Sequence, residues 1–247
     1  MRDGSIPGVH GRVRPLTLLG DPVLHAPCEE VTDFGPELAR LVEDLFATMY
    51  AAQGVGLAAN QIGVPLRVFV YDCPDDDDVR HLGHVVNPRL VETDGVVVRG
   101  PEGCLSLPGL EAGTERHDHA VVEGRTAAGD PVTVHGTGFF ARCLQHECDH
   151  LEGRVYADRL TGRRRRRLGR QVRRASWNGR DRGADGASKA GAEGSTSRAC
   201  GRTRWVRPRS TSSCCGPPPA RPAPASRRRC RAPGAPTPGS SGPTPTT

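Results

Sequence analysis

Two histidines and a glutamate occur with the spacing H-E-x-x-H, at His146, Glu147 and His150. In an α-helix, residues four apart lie one turn from each other on the same face, so both imidazoles can reach one cation. Glu147 lies beside them and can handle a proton of water at that cation. These residue types at this spacing therefore predict a helix that carries a metal-dependent hydrolytic site.

A catalytic metal site commonly has three protein ligands and one open position, so a third ligand must come from elsewhere in the chain. Glu152 follows His150 by only two residues, which places it on a different face of the helix. Asp158 is a downstream candidate. Cys104, in the sequence E-G-C-L-S, is the better candidate and lies upstream.

The spacing of apolar residues predicts the elements that position these side chains. Three segments have helical spacing: residues 36–53, 139–151 and 157 to about 177. Five short segments have the composition of β-strands: residues 66–71, 83–87, 95–98, 119–123 and 131–135. Short strands before an isolated helix predict one α+β domain over residues 1–177.

Two segments are predicted to be exposed. The sequence Gly54-Val55-Gly56 follows the first predicted helix, and its glycines permit a tight, exposed backbone. Asp75–Asp78 follows Pro74 and is interpreted as a solvated turn. We do not interpret it as a metal site, because nothing sequesters four adjacent carboxylates.

The charge of the chain is unevenly distributed. The formal net charge is +6, but residues 178–247 contain 13 Lys or Arg residues against three acids, so residues 1–177 are mildly acidic. This excludes a nucleic-acid-binding interpretation of the whole protein. Residues 178–247 also hold 11 of the 22 prolines and one aromatic residue, Trp205. We predict a disordered tail, because it has too little apolar surface to bury. Its composition also resembles high-GC coding sequence read in a wrong frame.

The cysteines and the N-terminus indicate the compartment. Five of the nine cysteines lie in residues 1–177, an odd number without regular spacing, which favours a reducing environment over a disulfide scaffold. Residues 1–15 contain no apolar run of signal-peptide length, and no segment approaches the length of a membrane span. We expect a cytoplasmic protein with no membrane or DNA partner.

Three sequences, in this order, resemble the signature motifs of the peptide deformylase family. They are G-V-G-L-A-A-N-Q at residues 54–61, E-G-C-L-S at residues 102–106 and Q-H-E-C-D-H-L-E-G at residues 145–153. The resemblance covers residues of about 15–175 and implies an α+β fold, with antiparallel β-sheets around the central H-E-x-x-H helix and a C-terminal helix. It implies a hydrolase that removes the N-formyl group from the formyl-methionine of nascent polypeptides and releases formate.

The resemblance also implies a role for each matching residue. The implied metal ligands are Cys104, His146 and His150. Glu147 would be the catalytic acid and base, and Gln61 and the backbone N–H of Leu105 would hold the oxyanion. The family's metal is usually Fe²⁺, and Zn²⁺, Ni²⁺ or Co²⁺ are able to occupy the site, because a Cys/His/His set accepts several metals.

Two further groups of residues are predicted to bind the substrate. Phe139 and Cys143 precede His146 by seven and three residues on the same helix face, so we predict that they line a slot for the methionine side chain. Val55 would close one side of this slot. The backbone near Val55 and Gly56 would pair with the substrate as an added strand.

One segment departs from the family pattern. Many members carry a basic residue shortly after the second motif, whereas Gly109-Leu110-Glu111 occupies this region here and the nearest basic residue is Arg116. The departure leaves the core chemistry intact. It removes the basic side chain that would contact the downstream backbone of the substrate.

Two other functions are compatible with the residues alone. A zinc endopeptidase would cleave peptide bonds and keep its activity when Cys104 becomes Asp or Ser. A ribosome-binding protein with an inactive site would act through its tail and Arg163–Arg167, by attraction to ribosomal RNA. In a deformylase the same arginines are either a solvated helix face or a contact to the ribosome.

Overall fold

The structure is a computed structural model, and it describes Gly8 and residues 10–178. The predicted tail lies outside the described residues from residue 179 onward, so the domain boundary near residue 177 stays a prediction. The helices are α1 (Pro36–Ala51), α2 (Gly138–Leu151) and α3 (Gly162–Arg174). The strands are β1 (Gly56–Ala58), β2 (Val68–Pro74), β3 (Arg80–Gly103), β4 (Glu111–Arg125) and β5 (Pro131–Thr137). Short 3-10 helices span Pro22–His25, Ala59–Ile62 and Tyr156–Arg159.

The five strands form one antiparallel sheet in the order β1-β2-β3-β4-β5. The predicted strands 83–87 and 95–98 are two parts of β3, which has 24 residues. The register of β3 against β4 shifts between Val86 and Arg89, between Leu90 and Glu92, and between Asp94 and Val97. Such irregularities interrupt the alternation of side chains, so a single long strand has the sequence pattern of separate short ones.

Helix α2 packs against the sheet, and 13 of its 14 residues are buried. Its apolar side chains, including Phe140 and Leu144, pack with Phe69 and Tyr71 of β2 in one core cluster. The helix extends one residue before the predicted range 139–151, and this prediction is confirmed. Because so many of its polar residues are buried as well, each of them needs a partner from the rest of the fold.

The other two helices flank this centre. Helix α1 packs against β1 and β2 in a second core cluster and ends two residues before the predicted end. The prediction of one helix from residue 157 is wrong at its start. Tyr156–Arg159 form a 3-10 helix, Leu160 is extended, and α3 begins only at Gly162. Tyr156 and Leu160 are both buried against Cys104 in a third core cluster, and this packing decides the path of the chain.

Among the described residues, no helix combines the length and apolar character needed to cross a membrane. The five cysteines in the same part of the chain are all free and buried.

Candidate metal centre

Helix α2 and the residue that follows β3 bring together three side chains that could hold a metal ion. The ligand atoms of Cys104, His146 and His150 all lie within 4.8 Å of one another. The Cys104 sulfur is 3.1 Å from Nε2 of His150, and all three residues are at most 2% exposed. Asp158, the other candidate ligand, instead accepts a hydrogen bond from the backbone N–H of Val155 at 3.0 Å. The structure thus groups the two histidines with Cys104 and not with Asp158.

These residues fit a catalytic transition-metal site. One thiolate and two imidazoles suit several borderline divalent ions and leave one of four positions open. Oε2 of Glu147 is buried beside them and has no hydrogen-bond partner among the described residues. A buried polar atom requires a partner, and a polar group at the open position would provide it.

A buried carboxylate, Glu102, orients the first histidine. Nδ1 of His146 lies 2.7 Å from Oε1 of Glu102, which leaves Nε2 as the nitrogen presented to a metal. Arg116 donates to both oxygens of Glu102 at 2.6 and 3.0 Å, and Arg142 donates to Oε2 at 2.9 Å. Burial raises the pKa of Glu102, but Arg116 and His146 outweigh burial and hold this pKa well below its usual range.

The sequence analysis predicts no role for Glu102, although this residue lies two residues before Cys104. Its partners Arg116, Arg142 and His146 are 14, 40 and 44 residues away along the chain. Its position beside the cysteine was the available signal, but only the fold shows what it contacts.

The pKa of the second buried glutamate, Glu147, is shifted in the opposite direction. Burial raises its pKa to about 7, against the lowering effect of His146. A carboxyl group with such a pKa can both accept and release a proton near neutral pH, whereas Glu102 stays ionised. The two buried glutamates are therefore suited to different tasks.

Gln61 lies at the edge of the ligand cluster. Its Oε1 accepts a hydrogen bond from the backbone N–H of Ala58 at 2.9 Å, which fixes the direction of the amide. Its Nε2 consequently lies 3.4 Å from the Cys104 sulfur and 3.3 Å from Oγ of Ser106. In the part of the chain that the structure describes, the backbone N–H of Leu105 donates to no other backbone or side-chain group. Both predicted oxyanion donors thus lie next to Cys104.

The prediction of a tight, exposed backbone at Gly54-Val55-Gly56 is wrong at Gly56, while Gly54 and Val55 are half-buried. Gly56 is buried and begins β1, where it pairs with Tyr71. A Cβ atom on Gly56 would lie 2.4 Å from Oε1 of Glu147 and 3.0 Å from the Cys143 sulfur. The glycine is thus required for space beside the site and not for an unusual backbone conformation.

The predicted substrate-binding residues lie on the same side of α2 but differ in surroundings. Phe139 lines a cavity of about 440 Å³ together with Gly100 and Arg142. Cys143 is fully buried, and its sulfur lies 3.7 Å from the carbonyl oxygen of Val55. The structure thus brings Phe139, Cys143 and Val55 together in one core cluster, with Phe139 at the edge of the cavity.

Arg116 does not replace the basic residue that is absent after the second motif. It is 2% exposed and bonded to Glu102 and Asp149. Basic side chains near this segment come instead from β3 and α3, where Arg99 and Arg164 line a cavity of about 530 Å³ with Glu111.

A thiol and two imidazoles around one point, with a buried glutamate beside them, form the kind of site found in metal-dependent hydrolases. The sequence profile of the polypeptide deformylase family matches residues 13–166. The chain therefore belongs to the polypeptide deformylase family, whose members are metal-dependent. It is a hydrolase that removes the N-formyl group from nascent polypeptides and releases formate, as the three motifs predicted.

Individual relatives agree with this assignment. The chain is 86% identical over 177 residues to "Peptide deformylase 2" of Streptomyces coelicolor, an alignment that covers 72% of this chain and 99% of that protein. The crystal structure of peptide deformylase from Thermus thermophilus has a TM-score of 0.60 at 38% identity, over 66% of this chain and 95% of that one. A Met-Ala-Ser-bound structure of peptide deformylase from Acinetobacter baumannii has a TM-score of 0.56 at 30% identity, over 60% of this chain and 99% of that one.

Proposed function

We propose that Cys104, His146 and His150 bind the catalytic metal, and that this metal is Fe²⁺, with Zn²⁺, Ni²⁺ and Co²⁺ as able substitutes. The observation that carries the proposal is the convergence of these three buried side chains beside Glu147. Bound there, the metal would supply Lewis acidity toward water and the formyl carbonyl. The charge on Glu102 supports this assignment, because it favours an imidazole that is held at Nδ1 and donates electrons from Nε2.

The protein groups divide the remaining chemistry. Glu147 takes a proton from the attacking water and returns it to the amine of the methionine as formate leaves. The Nε2 amide of Gln61 and the N–H of Leu105 donate to the formyl oxygen while negative charge develops on it. Each such donor contributes about 2.7–4 kcal/mol in comparable oxyanion sites.

The substrate in this proposal is an N-formyl-methionyl peptide. Among the described strands, β1 lies at the edge of the sheet and pairs only with β2, so its other side near Val55 and Gly56 can accept an added peptide strand. Phe139 and Cys143 would line the methionine slot. The Met-Ala-Ser peptide bound to the Acinetobacter baumannii enzyme supports a substrate that begins with methionine.

We also propose that the catalytic domain spans residues 1–177 and that the protein is cytoplasmic. The 177 residues aligned with the Streptomyces coelicolor protein equal the length of the predicted catalytic domain, residues 1–177. The free cysteines among the described residues support a reducing cytoplasm.

Formate release from formyl-Met-Ala-Ser by anaerobically purified Fe²⁺ protein tests the chemistry. We expect Glu147→Ala to lower kcat by about 10²–10⁴-fold, because a positioned acid and base contributes this much, while the metal content stays unchanged. Glu152→Ala is the control, since this half-exposed glutamate follows α2 and pairs with Arg67. Cleavage of internal peptide bonds instead of formate release would contradict this chemistry, and full activity of Cys104→Asp would contradict the proposed role of Cys104 as a metal ligand.

We also propose that the exposed arginines of α3, including Arg163, Arg165 and Arg166, contact ribosomal RNA near the emerging peptide. Replacing these three by Glu in the full chain should weaken co-sedimentation with ribosomes, and the difference should shrink as the salt concentration rises. Equal binding of both proteins at low salt would contradict the contact, whatever the outcome of the formate assay.

A further inference from the structure

Arg142 connects the helix that carries two metal ligands with the strand that leads to the third. It is on α2, and its side chain is 7% exposed. Its Nη1 donates to Oε2 of Glu102 at 2.9 Å and to the carbonyl oxygen of Thr114 at 3.0 Å. Its Nη2 donates to the carbonyl oxygen of Val98 at 2.9 Å. One guanidinium group therefore joins α2, β3 and β4.

Arg142 and His146 hold the two oxygens of the same carboxylate. They are four residues apart on α2, so they lie on one face of the helix. His146 contacts Oε1 of Glu102 and Arg142 contacts Oε2. Because Glu102 comes two residues before Cys104, this double contact sets the position of α2 relative to the strand end that supplies the cysteine.

The neighbourhood of Arg142 is shaped to fit its planar group. A Cβ atom on Gly100 would lie 3.0 Å from Nη2 and 3.3 Å from Cζ of Arg142, so the guanidinium occupies the space that a side chain would need. Lysine carries the same charge but cannot donate to three separate acceptors in a fixed plane.

We propose that Arg142 is a positioning residue of the metal centre, acting through Glu102 on the distance and angle between His146 and Cys104. This inference rests on the proposed metal ligands. Groups that orient metal ligands typically affect metal affinity or activity by about 10–100-fold. Arg116 also holds Glu102, but its guanidinium bonds to Asp149 nearer the C-terminal end of α2, whereas the guanidinium of Arg142 bonds to the carbonyl oxygen of Val98.

The test compares Arg142→Lys and Arg142→Leu with wild type, using Co²⁺ as the probe. We expect the Co²⁺ dissociation constant to rise by about tenfold or more, the visible absorption spectrum of bound Co²⁺ to change, and kcat to fall more than KM changes. Gly100→Ala is a second variant, which displaces the guanidinium without removing it and should change the spectrum in the same direction.

Arg67→Leu is the matched control. Arg67 also joins the end of α2 to β3, through Oε1 of Glu152 at 2.9 Å and the carbonyl oxygen of Pro88 at 2.9 Å, but it does not contact Glu102. An unchanged Co²⁺ spectrum and affinity in folded Arg142→Lys and Gly100→Ala proteins would overturn the proposal while the metal centre itself stands. Absence of Co²⁺ binding to wild type would overturn both.

Discussion

Gly56 belongs to the first motif as predicted, but the physical reason for a glycine at this position differs from the expected one. Its conformational freedom predicted a tight, exposed backbone, yet it is buried in a strand. What the position demands is the absence of a Cβ atom, because α2 brings Glu147 and Cys143 into that space. Steric exclusion of this kind depends on a residue that is 91 positions away in the chain.

The first prediction concerns this space. Gly56→Ala should displace the Glu147 carboxylate and lower kcat by about 100-fold, since a shift of about 1 Å in a catalytic group has effects of this size. Gly113→Ala is the control, because its Cβ atom would meet only ordinary contacts with Arg99 at 3.6 Å. Steady-state formate release measures both, and equal kcat in the two variants would show that Glu147 tolerates the methyl group.

At the scale of elements, α2 is held by contacts from distant parts of the sheet. Its N-cap residue, Thr137, makes no side-chain hydrogen bond to the first turn. Oδ1 of Asp76, in the turn between β2 and β3, accepts a hydrogen bond from the backbone N–H of Phe139 at 3.1 Å instead. Asp76–Asp78 are exposed as predicted, whereas Asp75 is buried, and Asp76 caps α2.

The second prediction follows from this cap. Asp76→Ala should lower the free energy of unfolding by about 0.5–2 kcal/mol, the usual effect of removing a helix cap. Asp77→Ala should change it by less than about 0.5 kcal/mol, because only the backbone N–H of Asp77 takes part in the turn, toward Asp75. Urea unfolding compares the two, and equal effects would exclude the cap.

At the scale of the whole described molecule, the residues that follow α3 pack against the segment that carries the second motif, residues 102–106. Trp177 packs against the third core cluster, which contains Cys104 and Leu107. Its indole N–H donates to the carbonyl oxygen of Pro108 at 3.0 Å. The last described residues therefore contribute to the position of a proposed metal ligand.

The third prediction concerns the residue at which the functional domain ends. A chain that ends after Asn178 should keep its deformylase activity, whereas one that ends after Arg174 should lose about 1–3 kcal/mol of stability and part of its activity, because the buried part of Trp177 is removed. Thermal unfolding and formate release of both chains, beside Trp177→Ala, test this. Loss of activity in the longer chain would show instead that residues beyond 178 are required for catalysis.

The sequence by itself determined the family, the reaction and the approximate ranges of α1 and α2, because these depend on local spacing. The H-E-x-x-H pattern places His146 and His150 on one face of any helix, and the three motifs are specific in combination. The approximate ranges of α1 and α2 follow from apolar residues repeated over several turns, which a regular helix preserves.

Only the tertiary structure decided what depends on distant contacts. The irregular register between β3 and β4 joins predicted fragments into one long strand, and burial of Tyr156 and Leu160 delays the start of α3. The links of Glu102 to Arg116, Arg142 and His146 carry no local signal, because a buried charge finds its partners wherever the fold brings them. Local patterns therefore determine which residues can do the chemistry, and long-range packing determines how they are held.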